Sequence, residues 1–485
     1  MTMPRAAALL LATTLLASPA MAADATPEQA RALEGDLRGW MAGLLGAAID
    51  VGTRPIEVTP AGEALSVRIP APAMIAALGV VEPGLAVTLK ARKMDGGRWA
   101  LDDLRLPSPL KLMMPGESTG AEKTTLLNWS IDSQDFHAIF DPSFATTSSF
   151  DTIWRGYRTV ATNQTTLITR SSGHTVLQPA DKGRINLISE SNGEQLDASI
   201  EVPGAPPFTY KATAVRSSGK IANLSPDNLA ALVRSLTSLA GLKDTKAQGS
   251  APTEEQRKLA RTAVLALRDL FASMDASTSF EGMSVSGMGQ SATLKKASFG
   301  VNLGTPEGKL SLGTSIALND FASAAIPPGI LRDYMPRSIV LKPRVGGFPS
   351  EDATRLLLKL IDTDPADMAP VQADALAVLA ANPVEIAIDE LTIDLGRASI
   401  EANGSIEVTS PTEITGEAEI SLKGLDALIR RANSDAELKQ FAPVLIFLKG
   451  IGKKDGEAYT WSINYEGGKF SVNDTDMSEM AGMLK

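Results

Sequence analysis

Between Val384 and Leu422 apolar and polar residues alternate, and this alternation constrains the fold more than any other feature of the chain. Val384, Ile386 and Ile388, then Leu391, Ile393 and Leu395, fall on one side of an extended backbone. Ile400, Ile406, Val408, Ile414, Ala418, Ile420 and Leu422 continue the series, while Glu, Thr, Asp and Ser fill the opposite side. Period two is the spacing of a strand, whose successive side chains point to opposite faces. One apolar and one solvated face is the mark of an antiparallel sheet, and the apolar face must be covered by something.

The same pattern recurs at 54–69, 83–91 and 97–105, where Met94-Asp95-Gly96-Gly97 carries the Asp-Gly signal of a hairpin. From 123 to 215 the chain reads as strands rich in Ser and Thr, with aromatics at Trp129, Phe136, Phe140, Phe144, Phe150, Trp154 and Tyr157. Further strands are predicted at 275–285, 291–303 and 308–318, before the proline-containing Ala325–Pro328 stretch. A last hairpin turns at Glu466-Gly467-Gly468. Helices are announced by their caps. Thr26-Pro27-Glu28-Gln29 starts one running to about Leu45, and Ser225-Pro226-Asp227 starts a second. Thr253-Glu254-Glu255-Gln256 opens one reaching about Met274, and two more fit 350–361 and 369–381. Ser434-Asp435-Ala436-Glu437 caps one ending near Gly450. The fold class is therefore α+β: large twisted or curved antiparallel sheets with helices packed on the apolar face. A charged, small-residue linker at 243–252 divides an N-terminal region, 23–242, from a C-terminal one, 253–485. A strand running into a helix at 414–431, 210–236, 65–78 and 310–325 suggests a duplicated sheet-plus-helix unit.

There is no cysteine, so disulfides and a lipid-modified cysteine are excluded, and apolar burial must carry stability. Arg5, the apolar run Ala6–Ala17 and the small residues Ala20 and Ala22 compose a secretory signal over 1–22, cleaved after Ala22. The run is shorter than the roughly 18 residues a membrane anchor needs, and no later stretch is long enough. The expected location is the periplasm. A net charge of −10 argues against nucleic acid and against anionic membranes through charge alone.

Chemistry is sparse. His137 and His174 are the only histidines, and no nucleophile motif accompanies them. Asp362, Asp364 and Asp367 crowd three carboxylates without the spacing of a calcium loop, and Gly287-Met288-Gly289 precedes a strand where a dinucleotide site needs a helix. No catalytic, cofactor or metal residue is assigned. One alternative reading stands: an exported hydrolase or carbohydrate-binding protein with a site among Trp129, Asp135, His137 and Trp154. Asp135 and His137, two apart on a strand, share a face.

The stretch Ser405–Arg431, the apolar helix after it and the closing hairpin from Trp461 to Asn473 resemble an alphaproteobacterial family of exported proteins catalogued as domain of unknown function number 2125. The Leu331–Pro343 region is similar too. A looser likeness links the chain to AsmA-type envelope proteins, and that likeness implies long curved sheets that hold or conduct lipid. No family residue carries a role that transfers. The expectation is a non-enzymatic envelope protein that holds a lipid or an apolar segment of an envelope partner. The groove wall would be Ile406, Val408, Ile414, Ile420 and Leu422.

Overall fold

The computed structural model describes residues 24–45, 56–70, 80–81, 85–114, 124–142, 146–241, 252–323, 335–364, 367–410, 413–435 and 438–478. The expected signal at 1–22, Phe144 and the Ala325–Pro328 stretch lie outside these residues.

The described residues form one open, wholly antiparallel sheet of 23 strands. Its short first strands are β1 (Glu57–Ala61), β2 (Ala64–Pro70), β3 (Val80–Val81), β4 (Ala86–Lys93), β5 (Trp99–Arg105), β6 (Leu110–Met114), β7 (Thr124–Ser130) and β8 (Ser133–Asp141). Long strands follow: β9 (Thr146–Ala161), β10 (Gln164–Pro179), β11 (Ile185–Ile200), β12 (Phe208–Leu224), β13 (Ser273–Gly287), β14 (Gln290–Gly304) and β15 (Lys309–Ser323). The third group is β16 (Ser338–Pro349), β17 (Val384–Asp394), β18 (Ser399–Ser410) and β19 (Glu413–Lys423). The last strands are β20 (Lys453–Asp455), β21 (Ala458–Glu466), β22 (Lys469–Val472) and β23 (Thr475–Asp476). From β8 to β19 each strand pairs with its neighbours in sequence.

Among the described residues seven α-helices accompany the sheet: α1 (Pro27–Leu45), α2 (Pro226–Gly241), α3 (Glu254–Arg268), α4 (Ser350–Asp362), α5 (Ala369–Ala381), α6 (Leu425–Ser434) and α7 (Ala442–Ile451). Their starts follow the caps. Gln29 N–H donates to Thr26 Oγ1 at 3.3 Å, Asn228 N–H to Ser225 Oγ at 3.2 Å, and Thr253 with Gln256 closes a reciprocal capping box. Two boundaries differ from expectation. α3 stops at Arg268 rather than Met274, because Leu270 and Phe271 leave the helix to pack on Ile185 and Leu224. α7 begins at Ala442, not at 435, because Pro443 occupies a first-turn position where a missing N–H costs nothing.

The helices lie on the apolar face. α1 places Leu33, Leu37 and Met41 on Leu65, Val67, Leu89, Trp99 and Phe140, each such burial worth about 1.5–3 kcal/mol. α2 packs on α1 and α3, α3 on α4, and α4 on α5, giving a continuous helical layer. The α6–α7 pair covers a separate core of Leu422, Leu425, Tyr459, Trp461 and Val472. The linker expected at 243–252 falls, apart from Pro252, outside the described residues. The strands on either side of it pair directly, Tyr210 opposite Val285, so the sheet runs through this point.

Register is held by direct opposition. Leu177, Leu187, Ile221, Met274, Leu303, Leu312, Val345, Ile386 and Ile406 face one another in turn from β10 to β18. A second line crosses the sheet where the backbone turns left-handed: Gly156, Gln195, Gly282 and Asp320 have φ of 63°, 52°, 58° and 51°. Thr169 Oγ1 donates to Gln195 Oε1 at 3.0 Å, and Lys295 Nζ lies 3.5 Å from Asp320 Oδ2, linking neighbouring strands along the line. A Cβ on Gly282 would stand 2.6 Å from Thr213 Oγ1, so glycine is required there. Beyond such a residue the inward side switches. Ile185 is buried on one side of Gln195, whereas Leu196 and Ala198 are buried on the other.

Candidate apolar groove

The helices do not cover the whole apolar face. Phe299, Val301, Leu312, Val345, Ile386, Ile388, Ile406, Ile414 and Tyr465 all lie on it and remain 37–46% exposed. They span β14 to β19 and β21, seven adjacent strands and so about 29 Å at ~4.8 Å per strand. Isolated exposed apolar residues are ordinary, whereas a contiguous strip of this kind is a candidate binding surface.

The floor of the strip is shallow where the residues are small. Gly416 sits between Ile406 and Tyr465, and Gly404 and Ala418 between Ile388 and Ile463. Gly404 can only be glycine, since a Cβ would lie 2.6 Å from the Glu417 carbonyl oxygen. The row through Ile463 leads into a cavity of about 520 Å³ under α7. Ile400, Ile420, Leu422, Trp461, Phe470 and Val472 line it from the sheet side, and Phe447, Leu448 and Ile451 from the helix. Pockets for drug-sized ligands fall in the range of about 300–1,000 Å³. Two polar contacts hold its roof. Trp461 Nε1–H donates to the Leu448 carbonyl at 3.0 Å, and Asn473 Nδ2 donates to the Ile451 carbonyl at 2.7 Å. A smaller apolar cavity of about 260 Å³ lies between α3, α4 and the ends of β14 and β15, lined by Leu267, Phe271, Leu303, Leu310 and Leu357.

The five residues expected to line a groove share this face. Ile420 and Leu422 line the large cavity, whereas Ile406 and Ile414 belong to the open strip and Val408 is half-buried beside them. Sequence reading missed Phe299, Val301, Leu312 and Val345, which continue the strip; their own period-two spacing within β14 to β16 is the signal that finds them.

The opposite face is polar. Arg344 grips Glu385 through Nη1 and Nη2 at 2.7 and 3.0 Å and reaches Asp389 at 3.2 Å. These bonds hold the Glu385 carboxyl below its usual range, with burial opposing. A carboxyl lowered in the folded state stabilises above its unfolded value of about 4.3, and the contribution is lost as pH falls through the folded one. Both groups are about a third exposed, so solvent screening limits the effect to about 1 kcal/mol. Arg344→Met therefore costs about that much at neutral pH and progressively less as pH falls through the folded Glu385 value, measured by urea unfolding at stepped pH. A difference that is constant with pH refutes this assignment.

On the same polar face His137 Nδ1 lies 2.6 Å from Asp102 Oδ1, and His174 Nδ1 lies 2.6 Å from Asp151 Oδ1. Burial raises the Asp102 carboxyl, but hydrogen bonds from His137 and Arg92 bring it below its usual range. Asp135 shares this face with His137. Trp129, Trp154 and Tyr157 are on the other face, with Trp154 stacked on Tyr157 at 5.9 Å and Trp129 edge-on to it at 6.5 Å. The sheet thus separates the four residues of the alternative site. Among the described residues no three His, Asp or Glu side chains converge as metal ligands. Asp362 is bound to Arg261 at 2.7 Å, and Met288-Gly289 is the two-residue turn between β13 and β14.

The family comparison falls on the groove. Residues 343–472 match a family described as an uncharacterized protein conserved in bacteria, DUF2125. The match runs from β16 to the end of β22, taking in the strip from Val345 to Tyr465 and almost all of the large cavity. Of the stretches that resemble this family, Ser405–Arg431, the helix after it and the closing hairpin as far as Val472 fall inside the match, and Leu331–Pro343 touches it only at Pro343. No curated protein and no solved structure matches the chain.

Proposed function

We propose that this protein is a non-enzymatic carrier of the bacterial cell envelope that holds the acyl chains of a lipid along its apolar sheet face. The carrying observation is the strip of exposed apolar side chains from Phe299 to Tyr465, floored by Gly404, Gly416 and Ala418 at its shallow end, which leads into the cavity beneath α7. Its length of about 29 Å exceeds that of one leaflet of acyl chain, about half of a ~30 Å hydrocarbon core. Covering the strip with hydrocarbon removes apolar surface from water at about 25 cal/mol per Å². The expected export signal gives this groove its setting, and the likeness to AsmA-type envelope proteins points the same way.

The test is native mass spectrometry with lipid extraction on purified protein, comparing wild type with Ile388→Lys/Ile406→Lys. Both positions are exposed, so the fold tolerates the charge, whereas hydrocarbon on that floor does not. Wild type is expected to carry a phospholipid or fatty acid, with occupancy falling about tenfold or more in the variant. His137→Ala leaves occupancy unchanged. A clean apo mass for wild type, or equal occupancy in the Lys variant, overturns the reading.

A further inference from the structure

The strip joins two cavities. Leu303 lines the smaller one and stands opposite Leu312, an exposed residue of the strip. Val345, Ile386, Ile406, Gly416 and Tyr465 follow in register, and Ile463, two residues from Tyr465, lines the larger cavity. Five antiparallel pairings separate β14 from β19, so these two strands run in opposite directions. Leu303 and Leu422 each lie one residue before the end of their strand, which puts the two cavities at opposite ends of the strands. Across the strands alone they are five spacings apart, about 24 Å at ~4.8 Å each. An acyl chain spans about 15 Å in one leaflet, half of a ~30 Å hydrocarbon core. One such chain seated in either cavity does not reach the other, whereas two chains joined at a headgroup do. Both linings suit hydrocarbon. The larger has no charged side chain among the described residues, and Arg268 in the smaller is already bound to Asp269 at 3.0 Å.

We infer that the ligand is a lipid with two acyl chains, held splayed. One chain ends in the cavity beneath α7, the other in the cavity between α3 and α4, and the headgroup sits over the strip between them. This rests on the lipid-carrier reading and names the class of lipid. The smaller cavity, about 260 Å³, takes the end of its chain, and Leu312 and Val345 support the remainder. Joining the chains makes the seating of the second one intramolecular, so a two-chain lipid gains affinity over a one-chain lipid with the same headgroup.

The experiment titrates the purified protein with phosphatidylcholine and with lysophosphatidylcholine, which share a headgroup and differ in chain number, and counts bound palmitate by native mass spectrometry. Wild type is expected to prefer the two-chain lipid by about tenfold or more and to take up two palmitates. Ala353→Phe fills the smaller cavity and Ile463→Trp the larger; each should abolish the preference and leave one palmitate. Leu267→Glu and Phe447→Glu provide second variants with the same expected direction. These residues line the same two cavities but are 52% and 41% exposed, so the fold tolerates a carboxylate there. A single palmitate in wild type, or equal affinity for the two phospholipids, overturns the two-chain assignment and leaves the carrier standing. A preference that survives both variants of either cavity does the same. Failure to bind any of the three lipids overturns the carrier reading itself.

Discussion

Trp461→Ala is expected to lower the stability of the C-terminal part of the sheet by about 3–5 kcal/mol. Trp461 is 5% exposed, stands directly opposite Ile420 and supports α7 from below through its bond to Leu448. Truncation adds the volume of an indole to a cavity already present, and the surrounding strands cannot collapse into it because their register is fixed from β17 to β21. Trp461→Phe keeps part of the apolar contact while losing the hydrogen bond and one ring of the indole, and is expected to cost less than the alanine variant, about 1–3 kcal/mol. Denaturant unfolding followed by hydrogen exchange checks this. The expected signature is loss of protection in α6, α7 and β19 to β22. Equal effects of the two substitutions would show that the bond, not the packing, supports the roof.

Trp99→Ala makes an equally large change at the other end. Trp99 is 2% exposed, lies opposite Phe140, and donates its Nε1–H to Asp36 Oδ2 on α1 at 3.1 Å. Removing it costs about 3–5 kcal/mol for the lost packing, and Asp36 loses its partner. The two tryptophans belong to cores that share no residue. Their effects should therefore add to within about 0.5 kcal/mol in the double variant. Strong coupling would show that the long sheet transmits strain from one end to the other.

Much of this fold was legible because its determinants are local. Thr26 with Gln29, and Thr253 with Gln256, mark helix starts through bonds spanning three residues, and the alternation from Val384 to Leu422 states its own inward face. What was missed depends on distant contacts. Leu270 and Phe271 continue a helical pattern, yet they leave α3 for the core formed with Ile185 and Leu224. The inward side of β11 switches at Gln195, a residue type with no strong preference for left-handed backbone, so the strand reads as weakly patterned. The groove residues were placed on one face from spacing alone, but their exposure depends on how far α5 and α7 reach over the sheet. His137 was paired by proximity with Asp135; its hydrogen-bond partner, Asp102, comes from the neighbouring strand.

Because each strand from β10 to β18 pairs only with its neighbours in sequence, the architecture is extensible. Inserting one more hairpin with the same alternation would disrupt a single existing strand junction and widen the apolar surface by two strand spacings, about 10 Å. Deleting one would shorten it by the same step. The width of apolar surface such a sheet presents is thus set by hairpin number, a quantity that gene duplication and loss can change without redesigning any core.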